Sequence, residues 1–250
     1  MTSGQNPAAR LFHLGGKEGS DVLLIHGFGS DRFSWVATAL GLFSKHRVWA
    51  VEMPGHGEAA NDVGEGTPQA LAAAVAASIT ELPRPFAVVG HSLGGTVSLH
   101  LAQLLGDEIS HLTVMAPGGW GSVIDHSFVG TFPDLRTPEE TEVLLHRLVS
   151  RKRLIRPQMV THVLEMLERP GRRDALKKLA QGILAAPPPP MPDTDKLCVI
   201  WGAEDRINTP DYQRLETLHE RASVLTGIGH MPHVEAQSVV NGLIKSLLAR

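Results

Sequence analysis

Short, nearly unbroken apolar runs alternate with longer amphipathic stretches along most of this chain. Residues 22–26, 47–51, 86–90, 111–115 and 196–201 each predict a strand, and 222–225 predicts a weaker one. Continuous hydrophobicity, rather than strict alternation, suits strands covered on both faces. Between them, 68–81 predicts an Ala-rich helix that opens after Thr67, with Pro68 in the first helical position, where a missing N–H is harmless. Further helices are expected at 93–105, 210–221 and 234–249. The last carries Val239, Val240, Leu243, Ile244, Leu247 and Leu248 on roughly one face. This order predicts an α/β fold: a mostly parallel sheet flanked by helices.

One stretch breaks the rhythm. After Met115 no strand signal returns until Lys196, and helices are expected at 138–149, 157–168 and 172–184. The prolines at 187–190 then impose an extended segment, since proline fixes φ and removes the donor N–H. The expected organisation is a core of residues 1–118 and 191–250 with a helical cap insertion at 119–190 lying over the sheet edge. A separate helical domain is the other reading of that block.

Composition narrows the function classes. The 250 residues carry a net charge of −3, which does not suit an electrostatically driven nucleic-acid binder. One cysteine, Cys198, excludes an internal disulfide and fits a reducing, cytoplasmic compartment. The first ten residues contain no apolar signal region, and no run is long enough to span a membrane. The expected partner is a small acyl substrate, with no nucleic acid and no membrane.

The chemistry-bearing motif is Gly90-His91-Ser92-Leu93-Gly94-Gly95, between a predicted strand and a predicted helix. It fits G-x-S-x-G, in which a serine on a sharp strand-to-helix turn presents its Oγ, and tiny residues two before and two after let strand and helix approach. The partners follow in the chain. The loop His26-Gly27-Phe28-Gly29 supplies a candidate oxyanion donor, the Phe28 amide, beside that of Leu93. Asp205 is the candidate acid. Glu204 is expected to face solvent, Asp211 to sit at a helix start, and Asp193 and Asp195 to lie at the wrong end of their strand. His230 in Gly229-His-Met-Pro-His233 is the candidate base, with His233 its rival. The two histidines lack a third ligand at metal-site spacing, so neither metal nor cofactor is expected. Gly27, His91 and Met231 are expected around the substrate pocket; His26 is placed with them, although a structural histidine bonding the loop is its favoured reading. Arg147, Arg151, Lys152, Arg153 and Arg156 crowd one part of the insertion, either as a solvated face or as an attractor for an anionic substrate.

The order Ser92, Asp205, His230 resembles the α/β-hydrolase superfamily, and the resemblance runs from Asp21 to Leu248. Within it, His26-Gly-Phe-Gly-Ser-Asp31, Gly229-His-Met-Pro-His-Val-Glu235 and Leu154-Ile-Arg-Pro-Gln-Met-Val160 are similar to the hydrolase-like domain of acetoin dehydrogenase acyltransferase components. No lipoyl-type domain is read ahead of Asp21, so a role in such a complex does not follow from the resemblance. The resemblance implies a serine hydrolase, carboxylesterase-like, cleaving an ester or thioester through an acyl-enzyme. Serine at position 92 disfavours dehalogenase and epoxide hydrolase chemistry, which uses aspartate there. A carbon–carbon bond hydrolase of the meta-cleavage type, or an acyltransferase with the same triad, stays open.

Overall fold

The computed structural model describes residues 8–192 and 194–249. Residues 1–7, Asp193 and Arg250 lie outside them. The strands are β1 (Arg10–Gly15), β2 (Ser20–Ile25), β3 (His46–Glu52), β4 (Phe86–His91), β5 (Ile109–Met115), β6 (Val123–Ile124), β7 (Leu197–Gly202), β8 (Asn208–Thr209) and β9 (Ala222–Leu225). The helices are α1 (Val36–Leu42), α2 (Pro68–Ser78), α3 (Leu93–Leu105), α4 (His126–Thr131), α5 (Pro138–Leu145), α6 (Pro157–Leu167), α7 (Arg172–Ala185), α8 (Tyr212–Thr217), α9 (Pro232–Glu235) and α10 (Gln237–Leu248).

Seven strands form one sheet in the order β1-β3-β2-β4-β5-β7-β9. All neighbours are parallel except β1, which runs antiparallel to β3 at the edge. The pleat sends alternate residues to opposite faces. On β2, Leu23 and Ile25 join Leu71 and Val75 of α2 and Val97 and Leu101 of α3. Val22 and Leu24 join Ala39 and Leu42 of α1 and Val240 and Ile244 of α10. The expected two-sided covering is present. Thr67 caps α2 by accepting from the Ala70 N–H, with Pro68 opening the helix.

The differences from expectation have local causes. The edge strand β1 mixes exposed and half-buried positions, so its sequence lacks the apolar run of a central strand. Helix α1 spans only 7 residues, contains Gly41 and leaves Leu40 exposed, which erases the helical stripe. The expected helix at 234–249 is two pieces, because Ala236 takes φ −128° between α9 and α10. That at 210–221 is α8 followed by a 3₁₀ turn at His219–Arg221. Between β5 and β7 the expected helices are present, with α4 in addition. So is a strand that the sequence did not signal, since β6 pairs with β8 over only two residues. The proline run is anchored there, the buried Trp120 indole donating to the Pro189 carbonyl at 3.2 Å.

Candidate active site

Strands β2 and β4 are neighbours, yet the chain leaves β2 toward β3 on one flank and β4 toward β5 on the other. Such a reversal opens a crevice beyond the strands' carboxyl ends, where ligands gather in open α/β sheets. The His26–Gly29 loop follows β2 and Ser92 follows β4, so both meet at that crevice.

Ser92 adopts φ 52°, ψ −117°, a conformation that costs a non-glycine residue about 1–3 kcal/mol. The surroundings enforce it. Its N–H donates to the Met115 carbonyl at 2.8 Å, and its own carbonyl accepts from the Thr96 N–H at 3.0 Å. The glycines behave as steric necessity: a Cβ on Gly90 would lie 2.4 Å from the Gly94 carbonyl oxygen, and one on Gly94 would lie 2.1 Å from that of Ile25. Gly27 allows a third close approach, since its Cβ would sit 3.3 Å from that of Ser92. Leu93 opens α3, so its N–H has no intrahelical acceptor.

Asp205 follows β7 and is buried. Its Oδ1 accepts from the backbone N–H groups of Ile207 and Asn208, both at 2.9 Å. Its Oδ2 accepts from the Trp201 indole at 3.1 Å and bonds His230 Nδ1 at 2.8 Å. Both Asp205 oxygens act as acceptors, so the bond to His230 is donated by Nδ1–H. Glu204 is exposed and Asp211 caps α8, both as expected.

Ser92 and His230 line a cavity of about 1010 Å³, together with Phe28, Leu93, Gly27, His91 and Met231. Its far walls are apolar side chains from the β5–β7 segment, among them Phe128, Phe132, Val163 and Leu184. That segment therefore covers the carboxyl ends of the strands rather than the sheet edge.

His26 is the departure. It is fully buried behind the loop and does not line the cavity. Its Nδ1 donates to the Gly27 carbonyl at 2.8 Å and its Nε2 accepts from the Met53 N–H at 3.2 Å. Burial pushes its imidazole below the ordinary value. It is the structural histidine of the two readings, bracing the His26–Gly29 loop against Met53, just after β3. The basic run also stays away: none of its five residues lines the cavity. Arg147 pairs with Asp125, and Arg151 donates to the Glu235 carbonyl.

His233, the rival base, is 1% exposed, stacks between Trp35 and His91, and does not line the cavity that holds Ser92 and His230. Among the described residues, neither of its ring nitrogens has a hydrogen-bond partner. Burial, with His230 beside it, pushes its imidazole from 6.5 down to about 3. Between those values the unfolded chain binds a proton that the folded chain does not. Stability is therefore lost as pH falls below about 6.5, by about 1.4 kcal/mol per unit. The urea midpoint should fall with acidification in that window and should fall less steeply in His233→Phe. Equal slopes would show that other groups carry the dependence.

Glu235 and Asn208 escaped the sequence reading. Glu235 is buried and accepts from the N–H groups of Gly229 at 2.7 Å and Ser150 at 2.9 Å, tying the His230 loop to the β5–β7 segment. Asn208 donates to the carbonyls of Ala116 and Pro117 at 3.1 and 2.8 Å, joining the loops after β5 and β7. The local sequence marks neither, because the groups they satisfy are main-chain atoms remote in the chain. Among the described residues, no cluster of potential metal ligands occurs and no helix is long and apolar enough to cross a membrane.

Residues 22–242 match the sequence model of the Alpha/beta hydrolase family. The chain is 30% identical to the dihydrolipoyllysine-residue acetyltransferase component of an acetoin-cleaving system from Pseudomonas putida, over 96% of this chain and 66% of that one. It is 29% identical to the pimeloyl-[acyl-carrier protein] methyl ester esterase of Vibrio cholerae, over 69% of this chain and 63% of that protein. The chain thus spans just under two thirds of the length of these relatives. In structure it is similar to the 2-hydroxy-6-oxo-6-phenylhexa-2,4-dienoate hydrolase of Rhodococcus sp. strain RHA1, with a TM-score of 0.82 and 18% identity over 97% of this chain and 95% of that one.

Proposed function

This chain belongs to the alpha/beta hydrolase family, and we propose that within it the protein is a serine hydrolase cleaving a carboxylic ester or thioester with an apolar acyl chain. One observation carries the reading. A serine on a strained turn shares a cavity with a histidine whose Nδ1 bonds a buried, fully engaged carboxylate.

Ser92 Oγ attacks the acyl carbonyl while His230 Nε2 accepts its proton. Asp205 holds the Nδ1–H tautomer and stabilises the imidazolium that forms. The Phe28 and Leu93 amides hold the oxyanion, and the N-terminal end of α3 adds favourable potential. His230 then protonates the leaving group, and water, activated by the same imidazole, releases the acid. Residues 119–190 act as the cap, whose apolar wall receives the acyl chain. The chemistry needs no metal or cofactor, and a single cysteine, Cys198, fits a reducing, cytoplasmic setting. The similarity to the Vibrio cholerae methyl ester esterase supports hydrolysis over transfer.

The test is a panel of 4-nitrophenyl esters and acyl thioesters of rising chain length, together with a fluorophosphonate probe. Each methylene buried in the cap should add about 0.8 kcal/mol, so kcat/KM should rise roughly fourfold per CH₂ until the cavity is filled. The probe should label Ser92. An unlabelled protein would end the proposal, and turnover of a carbon–carbon cleavage substrate alone would replace it with the meta-cleavage reading.

A further inference from the structure

His230 must face Ser92 at a fixed separation, yet no ladder sets that separation. The nucleophile turn extends β4, and the His230 loop follows β9. Two strands, β5 and β7, lie between them. One side chain bridges the gap: His91 Nε2 lies 2.7 Å from the His230 main-chain oxygen. We propose that His91 is a positioning residue, cross-tying the strand that carries the nucleophile to the loop that carries the base; the inference rests on the triad reading above.

The bond defines its own chemistry. A carbonyl can only accept, so His91 carries its proton on Nε2 and donates it. The peptide groups on the two sides of His230 are thereby held. Its N–H donates to the Leu148 carbonyl at 2.9 Å, and its C=O accepts from His91. With Asp205 on Nδ1, three separate bonds locate the residue, and the remaining nitrogen, Nε2, is the one the reaction uses.

The imidazole of His91 is itself held in a pile of rings. Its centroid lies 4.9 Å from that of His230 and 4.6 Å from that of His233. His233 in turn lies 4.5 Å from Trp35, which is fully buried. The pile gives His91 little lateral freedom, so its N–H points at one place. Burial, and then the neighbouring His233 and His230, keep His91 neutral. No competing cation therefore stands beside the imidazolium that forms on His230.

The experiment compares His91→Gln, His91→Asn and His91→Phe with the unaltered protein and Ser92→Ala. It reads kcat and KM on one 4-nitrophenyl ester, the second-order rate of fluorophosphonate labelling, and the thermal midpoint. A glutamine amide reaches about as far as imidazole Nε2, whereas an asparagine amide reaches only as far as Nδ1. The Gln variant should stay within roughly threefold of the parent. The Asn and Phe variants should lose about tenfold or more in kcat and in labelling rate, with KM nearly unchanged, because a misplaced base weakens the reaction rather than binding. A merely structural histidine would lower the thermal midpoint of all three without sorting their rates by donor position.

Retention of kcat by Asn and Phe, or a fall in Gln equal to that in Phe, overturns the inference while leaving the triad intact. If the Phe variant does not fold, Gln against Asn decides. An unlabelled parent, or a Ser92→Ala variant as active as the parent, overturns the triad reading and this inference together.

Discussion

Ser92→Ala is expected to lower kcat on short 4-nitrophenyl esters by on the order of 10⁶ and to abolish fluorophosphonate labelling, with the fold intact. The size follows from interdependence. Without the hydroxyl, the imidazole has no proton to take and the oxyanion donors have no tetrahedral adduct to hold. Stability should change by no more than about 0.5 kcal/mol, because the bonds that define the turn are made by the Ser92 main chain to Met115 and Thr96. Ser92→Gly should separate the two properties further. Glycine adopts φ 52° without strain, so the midpoint should rise while activity stays absent. Kinetics beside urea unfolding check both. Residual activity above about a hundredth of the parent would assign the nucleophile elsewhere.

Asp205→Asn is expected to lower kcat by about 10⁴. An amide has one oxygen and one NH₂ where the carboxylate has two acceptors. If its oxygen takes the Oδ1 place, facing the Ile207 and Asn208 N–H groups, the NH₂ faces the Trp201 indole N–H and His230. His230 must then bond through a bare Nδ1 and carry its proton on Nε2, where it can no longer accept one from Ser92. The opposite flip sets the NH₂ against two main-chain donors. Either way a buried donor loses its acceptor, at about 1–3 kcal/mol of stability. Labelling should persist at Ser92 but slowly, which distinguishes this variant from Ser92→Ala. Activity above a tenth of the parent would remove Asp205 from the base's support.

The parts of this molecule legible in advance are those whose signal is local and steric. The central strands β2, β4, β5 and β7 show as apolar runs because both their faces are covered. The strained turn at Ser92 shows because Gly90 and Gly94 are demanded by contacts of 2.1 to 2.4 Å that no Cβ tolerates. Asp205 and His230, which the structure pairs at 2.8 Å, stand out as candidates because each follows a strand in a fixed order. The losses lie where the signal is shared or remote. β1 is half-exposed and β6 is two residues long. His26 sits in a motif that points at the site, yet its nitrogens go to Gly27 and Met53. His233 is three residues from His230, and its place against Trp35 and His91 is set by packing that the local sequence does not mark.

What the chain determines unaided is its scaffold, the strained serine and the order of the three candidate groups, since these follow from periodicity and from the absence of side chains at close approaches. What only tertiary structure decides is the company each group keeps. His233 lies against Trp35 while His230 reaches Asp205, and Glu235 and His91 fasten a loop whose neighbours in space are distant in sequence. Directional bonds between remote segments depend on where packing brings those segments, and one sequence read along its length carries no record of that meeting.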